Sequence, residues 1–142
     1  MDIEEFKQLH SETIYYCQRI EHDLKWIYSY MRKGNQYENF EMLGKTTLGA
    51  LVKKLKELDN SDNDPFISND DYNFLKQMAE KRNCWCHQCF IDFIYENNFI
   101  VSPEYQKVCN KLIRDHSRFE IVSNNVEKVR LKAVESFSSN LE

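Results

Sequence analysis

Hydrophobic residues recur at alternating three- and four-residue steps along most of the chain, which is the period of an amphipathic helix. The first such stripe runs over residues 3–33 and ends at Gly34 and Asn35, which favour a chain reversal. The side chains of this stripe that should face a core are Phe6, Leu9, Thr13, Cys17, Ile20, Leu24, Ile27 and Met31. The pattern therefore predicts a long first helix with one buried face.

Two threonines and a series of leucines predict the second helix. The hydroxyl of Thr46 or Thr47 can accept a hydrogen bond from a free amide at a helix start, so this pair predicts an N-cap. The leucines that align on one face after it are Leu48, Leu51, Leu55 and Leu58. Between the first two helices, Phe40, Met42 and Leu43 predict only a short turn.

The stretch "DNSDNDPFISNDD", residues 59–71, is the clearest loop of the sequence, because Asp, Asn, Ser and Pro favour turns. A calcium-binding loop that began at Asp59 would require Gly at its sixth position and Glu at its twelfth. This chain has Asp64 and Asp70 at those positions, and Pro65 directly follows Asp64. The stretch therefore predicts a solvated acidic loop rather than a calcium site.

A long helical pattern occupies the last part of the chain. Ser102 and Pro103 predict its start, since Pro fits the first helical position, where its missing amide is not needed. The pattern extends over residues 103–137, and "SNN" at 123–125 predicts a bend or break in it. The side chains of its stripe are Tyr105, Val108, Leu112, Phe119, Val122, Val126, Val129 and Ala133.

Composition narrows the fold class and the number of domains. The chain has 142 residues, of which 42% are hydrophobic and 30% are charged, as in ordinary globular proteins. It has only 3 Gly and 2 Pro, too few for the turns of a β-sandwich or a β-barrel. We therefore expect one domain over residues 1–142, folded as an all-α, up-and-down bundle of four or five helices.

Charge and cysteine usage bear on location and partners. The net charge is −4 and the pI is about 5.6, so nucleic-acid binding would have to rest on a local site. The N-terminal "MDIEEFKQLH" lacks the parts of a secretory signal, and no apolar run is long enough to span a membrane. The 5 Cys are odd in number and lie within helical patterns. These features predict a cytoplasmic protein with reduced thiols and no membrane association.

The residues that could carry chemistry concentrate in "AEKRNCWCHQCF", residues 79–90. Ser68 or Asn69 predicts the N-cap of a third helix, which contains this stretch and continues to about Asn97. One stripe on that helix consists of Leu75, Met78, Trp85, Cys89 and Phe93. A second stripe consists of Asn83, His87, Phe90, Ile91 and Ile94. Arg82 lies in the middle of the first stripe, where a charge is costly unless it is paired.

Three interpretations of this stretch follow from the residue types alone. In the first, Arg82 pairs with an acid such as Glu80, Asp92 or one on another helix, and His87 is a hydrogen-bonded histidine at the rim. In the second, zinc binds to Cys84, Cys86, His87 and Cys89, although Cys84 and Cys86 point about 200° apart on a helix. In the third, "CHQC" is a redox motif, although it lies within a helix and does not follow a strand.

The sequence "RNCWCH" resembles a motif of a known family. Its Arg82, Asn83 and His87 match the R-x-x-x-x-H motif, with a polar residue after the Arg, of the HEPN superfamily of all-α bundles. The upstream segments "TTLGALVKKLKEL" and "LKQMAEKRN" are also similar to those of stand-alone bacterial members, so the resemblance covers roughly residues 45–95. The position of the motif, late in the third predicted helix, makes the match more specific than six residues alone.

The resemblance implies a metal-independent endoribonuclease of the toxin or anti-phage defence type, with no cofactor. Arg82 and His87 would take the two motif positions, and Asn83 would orient the site. Attack of an RNA 2′-OH on the adjacent phosphorus needs proton transfer, which His supplies near neutral pH. It also needs a fixed cation on the phosphorane oxygens, which Arg supplies. The expected products are a 2′,3′-cyclic phosphate and a 5′-OH, and Cys89 stands where many toxin members carry a modifiable Tyr.

The resemblance also implies a homodimer, and the chemistry gives an independent reason for one. Attack by the 2′-OH and departure of the 5′ oxygen need a base and an acid on opposite sides of the phosphorus. A two-fold axis beside His87 would supply the second His and would cover Phe90, Ile91 and Ile94. The alternative function is a non-catalytic helical interaction module. An antitoxin or a defence-complex protein is a candidate partner in either case, beside the RNA substrate.

Overall fold

The computed structural model describes residues 1–61 and 63–137, which form five α-helices and one short 3₁₀ helix. The α-helices are α1 Ile3–Met31, α2 Gln36–Leu43, α3 Leu48–Asp59, α4 Asn69–His87 and α5 Pro103–Phe137, and the 3₁₀ helix is Phe99–Val101. These described residues contain no β-strand, so the expected all-α helical bundle is confirmed. No helix within the same residues has an apolar run of membrane-spanning length.

The starts of three helices lie where the sequence places them. The Thr47 hydroxyl accepts a hydrogen bond from the Ala50 amide at 3.2 Å and begins α3. The Ser68 hydroxyl accepts one from the Asp71 amide at 3.1 Å and begins α4. Pro103 is the first residue of α5. Each cap acts over only three residues, which is why it can be recognised in the sequence.

The segment between α1 and α3 is more regular than the short turn expected at residues 40–43. Gly34 has a φ of +105°, which only Gly adopts freely, and it turns the chain after α1. The Asn35 side chain accepts hydrogen bonds from two amides of the next turn and caps α2. The ring of Phe40 stacks on Trp26 of α1 with centroids 4.2 Å apart. The cap and this stacking together stabilise a helix where the pattern alone indicated a turn.

α4 ends at His87, so the prediction that it continues to Asn97 is wrong. Residues 88–98 form successive turns, closed mainly by hydrogen bonds from an amide to the carbonyl three residues earlier. This segment is rich in aromatic, β-branched, Asn and Asp residues, which favour a helix less than Leu, Lys or Glu do. Asn98 adopts the left-handed conformation, with a φ of 57°, and turns the chain toward α5.

α5 is one unbroken helix, so the predicted bend at residues 123–125 is also wrong. Val122 and Val126 are buried and pack this turn of the helix against the core. The Asn125 side-chain amide donates to the Asp71 carboxylate of α4 at 3.3 Å. The polar tripeptide therefore remains helical because its neighbours are packed and one of its own side chains bonds to another helix.

The buried side chains form two clusters. The first, the aliphatic core, lies among α1, α3, α4 and α5 and consists mainly of Leu, Ile and Val. Its completely buried members include Ile20, Leu24, Ile27, Leu55, Met78 and Val122. The second, the aromatic cluster, comprises Phe6, Trp85, Cys89, Phe93, Tyr105, Cys109 and Leu112. Every residue of the first stripe predicted for the third helix is buried in one of these two clusters.

Side-chain contacts show that α4 and α5 run antiparallel. Near the start of α4, Asp71 meets Asn125 in the second half of α5. Near the end of α4, Cys84 meets Lys111 in the first half of α5. The end of α4 therefore lies beside the N-terminal part of α5, where the aromatic cluster forms.

The acidic loop is organised by the buried carboxylate of Asp59. This carboxylate accepts hydrogen bonds from the amides of Phe66 at 2.8 Å and Ile67 at 3.1 Å, and from the Tyr72 hydroxyl at 2.6 Å. The Asp59 carboxylate, which would be the first ligand of a calcium loop, thus already accepts three hydrogen bonds from the protein itself. The predicted loop is confirmed for residues 60–61 and 63–68, whereas Asp59 ends α3 and residues 69–71 begin α4, and Asp62 lies outside the described residues.

Candidate active site

Hydrogen bonds from two other helices fix the end of α4, which carries the three motif residues. The Trp85 side chain is buried, and its indole Nε1 donates to the Asp115 carboxylate of α5 at 2.9 Å. The Nζ atom of Lys81 lies 3.1 Å from the other oxygen of Asp115. On the opposite side, Nε2 of His10 in α1 donates to the Trp85 carbonyl at 2.6 Å. These contacts hold the last turns of α4 between α1 and α5.

Arg82 points toward α1 and forms an ion pair with Glu21. Its Nη1 atom bonds to Oε1 of Glu21, and the two side chains are 33% and 26% exposed. A small cavity of about 160 Å³ beside the pair is also lined by Lys25 and by the start of α3. The partner is thus an acid on another helix, not Glu80 or Asp92. This pairing offsets the cost of a charge within an apolar stripe.

Asn83 and His87 point into solvent on the outer face of α4. They are four residues apart, so they share one face of the helix, and both are exposed. Neither side chain bonds to another residue in the described part of the chain. Arg82 lies about 140° around the helix from His87. One protomer therefore brings Asn83 and His87 together and leaves Arg82 on a different side of the helix, directed toward α1.

The cysteines around the motif diverge from one another. The Sγ atom of Cys84 lies 3.3 Å from Nζ of Lys111, and Cys86 is exposed. Cys89 is buried, and burial, together with the nearby thiol of Cys84, raises the pKa of its thiol to about 11. All five cysteines are free, and no three His, Cys, Asp or Glu side chains in the described residues converge as metal ligands. The zinc interpretation therefore has no geometric support here.

A row of basic residues on α5 lies beside the end of α4. The contact between Lys111 and Cys84 places this row against α4, one turn before His87. Because the two helices are antiparallel, Lys107 lies level with the end of α4. The row lines a shallow, open depression of about 670 Å³, here called the basic groove, whose lining residues all belong to α5: Lys107, Asn110, Lys111, Ile113 and Arg114. The helical spacing of the basic residues in "KVCNKLIR" indicates a basic face on this helix, but it does not predict that the face lies beside α4.

The segment after the motif exposes several large apolar side chains. Ile91 is 61% exposed and Ile94 is 50% exposed, whereas Phe90 packs on the ring of Phe6 with centroids 5.5 Å apart. The other large apolar residues that this segment exposes are Tyr95, Ile100 and Val101. Of the second predicted stripe, only Phe90 is therefore covered within the protomer.

Comparisons of the chain with protein-family models, with curated proteins and with solved structures find no match. The inference of function therefore rests on the residues and geometry described above.

Proposed function

We propose that this protein is a metal-independent endoribonuclease of the HEPN type, acting as a homodimer in toxin or anti-phage defence. The observation that carries the proposal is the placement of Asn83 and His87 on one exposed face at the end of α4, in the same helical turns as Arg82. In the proposed reaction, an RNA 2′-OH attacks the adjacent phosphorus and the bond from phosphorus to the 5′ oxygen breaks. The products are a 2′,3′-cyclic phosphate and a 5′-OH.

His87 is the proposed proton-transfer group. Its imidazole is exposed and free of hydrogen bonds to the described residues, so RNA can approach both ring nitrogens. Histidine gains and loses its proton near neutral pH, as general acid–base catalysis requires. One His takes the proton of the 2′-OH, and a second His gives a proton to the departing 5′ oxygen. The Asn83 amide, on the same face, orients the phosphate between them.

Arg82 is the proposed cation that stabilises the phosphorane. Only its Nη1 atom bonds to Glu21, whereas a guanidinium carries five N–H groups on three nitrogens. The Nε and Nη2 groups can therefore donate to phosphate oxygens while the ion pair with Glu21 holds the side chain in place. The planar, permanently charged guanidinium suits a phosphate better than a Lys ammonium does.

The other histidines of the chain support the need for a second protomer. His10 donates to a backbone carbonyl in the aromatic cluster, and His116 lies 2.7 Å from a carboxylate oxygen of Glu12. His22 packs at the edge of Phe40, on the α2 side of α1. None of them contacts His87 within one protomer, so a two-fold axis is the direct way to supply a second imidazole.

The exposed apolar residues after the motif support the same arrangement. Ile91, Ile94 and Tyr95 lie within a few residues of His87, and each is at least half exposed. Apolar side chains grouped in this way favour association with another surface. A two-fold axis beside His87 would bury these side chains and bring the two His87 imidazoles to one cleft.

The basic groove supports RNA as the substrate. The net charge of −4 gives no global attraction for RNA, so binding must depend on local cations. Lys107, Lys111 and Arg114 form such a local group beside the end of α4. Each phosphate contact that is removed by mutation should lower the salt dependence of RNA binding by a slope of about 1.

The test is incubation of purified protein with total RNA in the presence of EDTA. Wild type and the control His22→Ala, an exposed histidine on α1, should both cut RNA, whereas His87→Ala should not. The ends should be a 2′,3′-cyclic phosphate and a 5′-OH. In cells, expression of wild type should slow growth, and Arg82→Ala or His87→Ala should relieve the effect. Intact RNA and harmless expression of the wild type would reject the proposal.

The composite site has a separate test. His87→Ala protein is mixed in excess with wild type, and sedimentation measures their assembly. Loss of wild-type cleavage in proportion to the mixed dimer would support a site that needs one His87 from each protomer. A protein that remains monomeric at micromolar concentration would rule out this mechanism.

A non-catalytic helical interaction module is the second candidate, and the ion pair between Arg82 and Glu21 favours it. This pair gives Arg82 a structural role that needs no substrate. The module would bind an antitoxin or a defence-complex protein through the exposed residues of segment 88–101. Purification with a stoichiometric partner, and no RNA cleavage by either component, would favour this function over the ribonuclease.

A further inference from the structure

A groove between α3 and α4 lies away from the motif. Its volume is about 630 Å³, within the range of sites for small molecules. Lys76, on its α4 side, is separated from His87 by roughly 16 Å along the helix axis. The residues that line it are Gly49, Val52, Lys53, Lys56, Glu57, Asn60, Tyr72 and Lys76.

The floor of the groove is apolar and open to a ligand. Val52 and Tyr72 are almost completely buried beneath it. Gly49 is part of α3, and a Cβ atom built on it would meet no other atom within 4 Å. An apolar group can therefore lie directly against the backbone of α3 at this position.

The rim of the groove is basic. Lys53, Lys56 and Lys76 are exposed, and none of them forms an ion pair with another described residue. The Nζ atom of Lys56 lies 5.9 Å from the centre of the Tyr72 ring, above the floor. Among the described residues that line the groove, Glu57 is the only acid. The groove thus combines an apolar floor with an excess of positive charge.

The extent of the apolar surface favours a small ligand over a protein partner. A stable protein interface buries about 800 Å² on each side, which requires apolar surface beyond a single groove. Among the described residues, the large exposed hydrophobic side chains all lie outside α3 and α4. The apolar area therefore ends at the lysine rim.

We propose that the groove between α3 and α4 binds a small amphipathic anion, a function separate from RNA cleavage. The apolar body of the ligand lies between Gly49 and Val52. Its carboxylate, sulfonate or phosphate group is bound by Lys53, Lys56 and Lys76. Each charged hydrogen bond contributes more than a neutral one, so the anionic group should determine much of the affinity.

Two probes with the same aromatic body test the proposal. One is 8-anilinonaphthalene-1-sulfonate, and the other is uncharged N-phenyl-1-naphthylamine, which lacks the sulfonate. Fluorescence titration should show one sulfonate bound per wild-type protomer. The variant with Lys53→Gln, Lys56→Gln and Lys76→Gln should bind the sulfonate probe at least about tenfold more weakly than wild type does. Its affinity for the uncharged probe should equal that of wild type.

Two further variants separate the groove from other surfaces. Gly49→Leu places a side chain in the groove and should abolish saturable binding of both probes, while the gain in helix propensity preserves the fold. Lys54→Gln removes an exposed lysine of the same helix that does not line the groove, and it should bind like wild type. Equal sulfonate affinity in wild type and the triple variant would overturn the proposal. Saturable binding that Gly49→Leu leaves unchanged, or binding that never saturates, would overturn it as well.

Discussion

The aliphatic core and the aromatic cluster differ in how the chain builds them. The aliphatic core is made almost entirely of side chains at helical spacing on long helices. The aromatic cluster includes Cys89 and Phe93, which lie in the turns after α4, and Phe99 of the 3₁₀ helix packs against it. Phe93 packs on Tyr105 with ring centroids 5.0 Å apart, and the backbone around it has separate turns instead of a continuous helical series of hydrogen bonds. The first cluster should therefore open only with global unfolding, and the second should open locally.

The largest expected difference is between Phe93→Ala and Leu24→Ala, in the parts of the chain where amide hydrogen exchange accelerates. Removal of either buried side chain costs about 3 kcal/mol or more in the free energy of unfolding, by loss of burial and creation of a cavity. Phe93→Ala should favour local opening of segment 88–101. The backbone amides of this segment should therefore exchange hydrogen roughly 100-fold faster in the variant than in wild type. Leu24→Ala should accelerate exchange throughout α1, α3, α4 and α5, as measured by mass spectrometry. Uniform acceleration in the Phe93 variant would contradict local opening.

Two buried thiols give the next largest contrast in the unmodified protein. Cys17 belongs to the aliphatic core and Cys89 to the aromatic cluster, and burial raises the pKa of Cys17 to about 12 and that of Cys89 to about 11. Both thiols are therefore protonated at pH 8 and react only after opening. A maleimide should label exposed Cys86 first, then Cys89, and Cys17 at least about tenfold more slowly than Cys89. Peptide mass spectrometry measures each rate, and equal rates for the two buried thiols would show one cooperative unit.

The buried carboxylate of Asp115 accepts a hydrogen bond from Trp85 of the aromatic cluster, and its replacement should have an intermediate effect. Asp115→Ala leaves the buried indole N–H of Trp85 without an acceptor, so it should lower the free energy of unfolding by about 1–3 kcal/mol. Asp115→Asn keeps an acceptor for the indole of Trp85. It should therefore lower the free energy of unfolding by less than half as much as Asp115→Ala does. Urea titration compares the two variants, and an equal loss would show that the ion pair with Lys81 matters more than the indole bond.

The smallest effect on stability concerns the ion pair of the proposed site. Arg82→Ala and Glu21→Ala should each lower the free energy of unfolding by no more than about 1 kcal/mol, because both side chains are partly solvated. A double-mutant cycle should give a coupling of about 0.5 kcal/mol. The ribonuclease proposal requires that Arg82→Ala abolish cleavage, whereas Glu21→Ala, which keeps the guanidinium and loses only the ion pair that positions it, should cleave more slowly than wild type but faster than Arg82→Ala. Equal loss of cleavage in both variants would assign Arg82 a structural role only.

The sequence predicted the parts of the fold that depend on local spacing. The starts of α3 and α4 follow from Thr47 and Ser68, because a cap needs only a neighbour three residues away. The end of α4 did not follow, because segment 88–98 is shaped by ring contacts with α1 and α5, which are distant in sequence. The prediction of a bend or break at 123–125 was also wrong because of a contact between helices, since Asn125 bonds to Asp71 of α4. Tertiary contacts overrode local propensity in both places.

The candidate site could be predicted only to the level of one helix. The positions of Asn83 and His87 on a shared face follow from their four-residue spacing. The partner of Arg82 is Glu21, 61 residues away, and it depends on how α1 crosses α4. The basic groove was missed because nothing in the spacing of Lys107 and Lys111 indicates that they lie beside the motif helix. The partner of Arg82 and the position of the basic groove both depend on how the helices pack against one another, which local spacing does not determine.

The length of α5 has a mechanical consequence. Its 35 residues form a continuous rod of about 52 Å, held at one end by Tyr105 in the aromatic cluster. At the other end, Phe137 packs on Phe66 of the acidic loop, with ring centroids 5.8 Å apart. Between these ends, Phe119, Val122 and Val126 pack the helix into the aliphatic core. One continuous helix therefore joins both clusters and sets the distance between the acidic loop and the basic groove.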